Sequence, residues 1–95
     1  MKSILQDYEE QRECFCCRSI ENLEDHHIFS GPNRKLSEKY GLKVLLCAQH
    51  HRDNKKGVHG QNTELKKDLQ RLAQKEFEKV YGHDKYIKVF GKNYL

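Results

Sequence analysis

Ninety-five residues, 36% hydrophobic and 34% charged with no Trp, restrict the chain to one domain (residues 1–95) with a thin core. Such a core needs a staple: a disulfide, a metal or a partner subunit. No stretch is apolar for long enough to cross a membrane, and the +4 formal charge is concentrated in the middle: residues 1–33 hold three Lys or Arg against seven acids, and residues 34–61 seven against two.

A basic surplus of this kind fits a polyanion such as nucleic acid, and equally a plain solvated face. The opening residues, MKSILQDYEEQRE, turn acidic after two apolar residues and carry no signal-peptide pattern. The expected compartment is therefore reducing and cytoplasmic, where thiolates bind zinc rather than pair as disulfides.

In chain order, residues 3–10 place Ile4, Leu5 and Tyr8 on one side of a short helix. Cys14 and Cys17 follow with the C-x-x-C spacing of a zinc knuckle, which leaves Cys16 as a spare thiol. Residues 19–22 read as a turn and 23–29 as a strand running into the loop Ser30-Gly31-Pro32-Asn33. A turn or two of helix over 34–40 stops at Gly41, and 42–46 form a second, apolar strand. Another helix begins after Cys47, over 48–54, and Gly57 and Gly60 break the pattern beyond it. Residues 63–81 are a long helix with Leu65, Leu69, Leu72, Ala73, Phe77, Val80 and Tyr81 as its apolar stripe, ended by Gly82. A last helix over 83–90 stops at Gly91.

All four cysteines and five of the six histidines lie between Cys14 and His59. Cys47 and His50, three apart at the start of a helix, share a face and complete Cys14 and Cys17 as a Cys3His set for a structural Zn2+. His26, His27, His51 and His59 are then left over. They suit a second ion or an acid–base site of the sort that hydrolyses phosphodiesters. As neighbours on a strand, His26 and His27 point to opposite sides, so one shared site requires a twist or bulge there.

The order of these parts resembles the HNH endonucleases: a histidine pair ending one strand, a loop, a second strand ending in Leu-Cys, then a His-His pair entering a helix. The strings HHIFSGPNRKLSEKYGLKVLLC, HHRDNKKGVH and FGKNYL are similar to the catalytic domain of the phage recombination-enhancing, RecA-dependent nuclease and its small phage relatives, from Cys14 to Leu95. The resemblance implies a small α+β fold of the ββα-metal (His-Me finger) type with a zinc knuckle and C-terminal helices. It also implies a phage or prophage origin and a single nuclease domain cutting DNA with little sequence preference, including DNA held by a RecA filament. His27 would be the general base, and His26 and His51 ligands of a catalytic Mg2+ or Mn2+. His59 would be a third ligand or a support for the others. Leu42 stands where the superfamily often has its middle Asn; Asn33 supplies the equivalent contact or is simply a turn residue. Arg34, Lys35, Lys39, Lys43, Arg52, Lys55 and Lys56 are the candidate phosphate contacts. The residues leave open one alternative of another class, a zinc-stabilised nucleic-acid-binding module without catalysis.

Overall fold

A computed structural model describes residues 2–95. Two five-residue strands, β1 (Leu23–His27) and β2 (Lys43–Cys47), pair antiparallel with Leu23 opposite Cys47 and His27 opposite Lys43. Residues facing each other across an antiparallel pair share a side. Glu24, His26, Val44 and Leu46 thus line one face, while Asp25, His27, Lys43 and Leu45 line the other. The first strand is shorter than its sequence suggests, and the reason is local. The Ile28 amide still donates to Leu42 O, but the Phe29 amide turns aside to the buried Ser37 Oγ at 2.9 Å, which ends the ladder.

Between the strands a 3-10 turn (Gly31–Asn33), opened by Pro32, leads into α1 (Arg34–Lys39). Gly41 follows with φ +69°, and a Cβ there would meet the Lys2 carbonyl and, at 3.2 Å, the Ile4 amide nitrogen. That position requires glycine for both reasons. α2 (Ala48–Arg52) starts at the end of β2. α3 (Thr63–Tyr81) begins where Asn62 Oδ1 accepts the Leu65 amide at 3.0 Å, an N-cap. It stops at Gly82, and α4 (His83–Phe90) is closed by Gly91 in the left-handed region.

Val44 and Leu46 of β2, Leu42 just before it, Leu69, Ala73 and Phe77 of α3, and Tyr86 and Phe90 of α4 meet in one core with Ile28, Phe29 and Val58. The apolar stripe of α3 is shorter than its spacing suggests: Val80 is 65% exposed and Tyr81 39% exposed. Gln74, by contrast, is buried. Its amide nitrogen donates to Glu78 and Asn93, and its carbonyl accepts the Tyr94 amide, all at 2.7 Å. A polar side chain therefore ties the C-terminal tail to α3.

The helix expected over 3–10 does not form. Ser3 Oγ accepts the amides of Leu5 and Gln6, and Asp7 Oδ1 those of Glu9 and Glu10, so side chains capture the donors a helix would use. The segment instead lies along β2: Ser3 Oγ donates to Lys43 O, Gln6 Oε1 accepts the Leu45 amide, and the Phe15 amide donates to Leu45 O. An open strand edge is thereby covered. Among the described residues, no helix is long and apolar enough to cross a membrane.

Candidate metal centres

The knuckle, the end of β2 and the start of α2 bring Cys14, Cys17, Cys47 and His50 together, with one ligand atom from each within 4.8 Å of the others. Cys47 Sγ is 3.2 Å from His50 Nδ1, Cys14 Sγ 4.0 Å from the same nitrogen, and Cys17 Sγ 3.8 Å from Cys47 Sγ. Ligands of a tetrahedral zinc, with bonds of about 2.3 Å to sulfur and 2.0 Å to nitrogen, stand roughly 3.5–3.8 Å apart, so the set is of the right size. All four cysteines are free thiols. Burial works to raise the Cys14 pKa, but the amides of Cys47, Cys17 and Cys16 point at its sulfur and lower it overall, favouring thiolate. The donor chemistry fits zinc. Cys16 is exposed and lies outside the set.

A second cluster uses the next residue of α2. His26 from β1, His51 from α2 and His59 from the loop beyond α2 have ring nitrogens within 4.8 Å of one another. His51 Nε2 and His59 Nε2 are 3.1 Å apart, close enough to share one proton or one cation. Each ring has a reason to be there. His26 is an inward residue of β1. The Nδ1 of His51 bonds Glu24 Oε1 at 2.8 Å, which turns its Nε2 towards His59. The His59 amide donates to His51 O at 3.1 Å, and the preceding Val58 amide to His50 O, so the loop folds back over its own helix. Gly57 makes that return feasible: a Cβ there would stand 2.6 Å from the Asp53 nitrogen and 2.8 Å from the Arg52 nitrogen.

Burial, then the neighbouring His51, His59 and His27, hold the His26 pKa down to about 3, so its ring is neutral at physiological pH. His59 is lowered too, by burial first. His26 Nδ1 is buried without a hydrogen-bond partner among the described residues. An orphaned, neutral imidazole nitrogen beside two others is what a metal ligand needs before the metal arrives. Glu24 holds His51 as a carboxylate holds a ligating histidine; the His51 hydrogen bond lowers the Glu24 pKa, and Arg52 adds to the effect.

His27 is not part of this cluster. The pairing of β1 with β2 runs regularly through His27 and Lys43, so the twist or bulge needed to bring both rings to one side is missing. On its own face, His27 Nε2 lies 3.5 Å from Glu38 Oε1 and 3.8 Å from Asp25 Oδ2. Asp25 accepts the Tyr8 hydroxyl at 2.5 Å, and Glu38 is paired with the Lys43 ammonium at 2.8 Å. Lys43 first, then His27, hold the Glu38 pKa down to about 2, so it faces the ring as a carboxylate. The Asp25, His27 and Glu38 atoms also lie within 4.8 Å of each other, but the ammonium already supplies a cation there.

The partners of the His27 ring are thus Asp25 and Glu38, not Asn33. Asn33 precedes α1 without a side-chain capping bond and lines a groove with Lys66, Lys67 and Lys92. Leu42 is fully buried and contributes only to the core. Sequence reasoning overlooked Glu24, Asp25 and Glu38. The alternation of β1 alone could have paired Glu24 with His26 and Asp25 with His27. Compared with known protein families, with curated proteins and with solved structures, the chain matches none.

Proposed function

We propose that the chain is a metal-dependent DNA endonuclease of the HNH type, phage or prophage encoded, which hydrolyses phosphodiester bonds with little sequence preference. The observation that carries this reading is the convergence of His26, His51 and His59 from three separate chain segments around one point, with Glu24 behind His51. A merely structural zinc domain needs the cysteine set and has no use for a second one. The ββα-metal architecture is part of the same proposal: β1 supplies His26, α2 supplies His51, and β2 joins the two elements.

His26, His51 and His59 would hold the ion. Bound there, it supplies charge neutralisation to a phosphate oxygen and to the leaving 3′ oxygen. Three imidazoles suit a transition ion better than Mg2+, which prefers oxygen donors, so of Mg2+ and Mn2+ the site favours Mn2+. His27 is the general base. With Nε2 facing Glu38 and Asp25, that nitrogen keeps its hydrogen and Nδ1 keeps the lone pair that takes a proton from water, the logic of any carboxylate-oriented imidazole. Because His27 faces away from the histidine set along the regularly paired strand, its action as base requires the end of β1 to turn so that base and ion reach one phosphate.

The test is nicking of supercoiled plasmid across a series of Mn2+, Mg2+ and Zn2+. We expect the wild type to nick most strongly with Mn2+, and His27→Ala to lose roughly 100-fold or more while keeping its zinc content and thermal stability. A fully folded wild type inert with every ion, or a His27→Ala variant as active as the wild type, overturns the assignment. DNA bound without any cleavage by the zinc-loaded chain would instead establish the binding-module reading.

A further inference from the structure

Between the first two turns of α3, the loop after β1 and the C-terminal tail lies a groove of about 450 Å³. Lys66 and Lys67 reach it from α3, Lys92 from the tail, and Asn33 and Ser30 from the loop; no Asp or Glu lines it. All three lysines are exposed, and none is ion-paired among the described residues. Further along the same helix, Arg71 and Lys79 are neutralised by Asp68 and Glu76. Three cations facing one concavity with no acid in its lining favour an anion there.

The groove also has a direction. Phe29 and Ser30 in its lining directly follow β1, the strand that carries His26, so one side of the groove starts at the end of that strand. At the other end Tyr94 presents a partly exposed ring, with the Lys92 ammonium 5.1 Å from its centre. Gln74 fixes this end by holding Asn93 and the Tyr94 amide.

We propose that this groove binds one strand of single-stranded DNA, with successive phosphates on Lys66, Lys67 and Lys92, and leads it to the histidine cluster. A groove bounded by three chain segments admits one backbone, whereas a duplex would touch only its rim. Alternating cations and an aromatic ring are the usual means of holding a single strand without reading its sequence. The inference rests on the endonuclease reading for its purpose, but binding is measurable without cleavage.

The probe is a fluorescein-labelled oligothymidylate, followed by anisotropy with zinc-loaded protein and no added divalent ion, over a range of salt. The K66Q/K67Q/K92Q variant should bind at least roughly tenfold more weakly at low salt. Its log affinity should depend on log salt with a slope shallower by about 2, from three lost contacts at about 0.7 each. The variant K75Q/K85Q/K88Q, three exposed lysines outside the groove, should bind as the wild type does, and Lys→Arg at the three groove positions should restore affinity. Lys92→Gln alone, outside any helix, gives a readable partial loss if the triple variant folds poorly. An unchanged slope in the groove variant, an equal loss in the K75Q/K85Q/K88Q variant, no binding by the wild type, or duplex bound as tightly through the same lysines would each overturn the proposal. Binding through the groove with no cleavage at any metal defeats the endonuclease reading and leaves the groove; cleavage with a groove-independent slope does the reverse.

Discussion

Glu24 shows how one side chain decides what its neighbour can do. It sits on the same face of β1 as His26 and takes the Nδ1 hydrogen of His51 at 2.8 Å, which leaves Nε2 free for the proposed ion. Glu24→Gln keeps the size and one oxygen but removes the charge that makes the imidazole more basic. Calorimetric titration of Mn2+ into zinc-loaded protein should therefore show affinity reduced by about 10- to 100-fold, with zinc content unchanged; equal affinity would mean that Glu24 only pairs with Arg52. At this scale the residues that cluster are legible in the sequence, because His and Cys are scarce and conspicuous. It did not announce their supports. Glu24, Asp25 and Glu38 are ordinary acids among the fourteen in the chain, and only the strand register reveals which imidazole each one faces.

At the scale of elements, the loop between α2 and α3 matters most, since it carries His59 back to His51. Gly57 lies 2.6 Å, in terms of an added Cβ, from backbone rather than from a yielding side chain. Gly57→Ala should therefore push the loop outward and weaken Mn2+ binding by roughly tenfold, equivalent to about 1.4 kcal/mol, while His50 and the zinc set stay in place; an unaltered Mn2+ isotherm would show that the loop tolerates the methyl group. Both strands, all four helices and the glycine stops at 82 and 91 are legible in periodicity and capping residues. The amino-terminal helix was misread because Ile4, Leu5 and Tyr8 have helical spacing, yet Ser3 and Asp7 hold the local amides and Gln6 reaches across to β2. Spacing cannot register that competition. The same holds for the basic residues. Arg52 pairs with Glu24 and Lys43 with Glu38, so two expected phosphate contacts are engaged within the chain, while Lys66, Lys67 and Lys92 converge only once α3 and the tail are packed.

For the molecule as a whole, the question is what holds together a fold whose sheet, among the described residues, has two strands. A two-stranded sheet is marginal by itself, and the cysteine set joins the knuckle, β2 and α2 at one corner of the core. Structural zinc contributes on the order of 10 kcal/mol in small domains, comparable to the total stability of a domain this size. Separating ligation from packing is usually difficult, since a buried Cys does both. Here Cys17 is an exposed member of the set, next to Cys16, which is equally exposed and outside it. Cys17→Ser therefore removes a ligand at almost no cost in packing, and Cys16→Ser is its matched control. Thermal unfolding followed by circular dichroism, with zinc quantified on the same samples, should show Cys17→Ser destabilised by about 2 kcal/mol or more and depleted of zinc. Cys16→Ser should stay within about 0.5 kcal/mol of the wild type, the ordinary range for a surface change. Identical melting curves for the two variants would show that the thiols do not bind metal, and that the core alone sustains the fold.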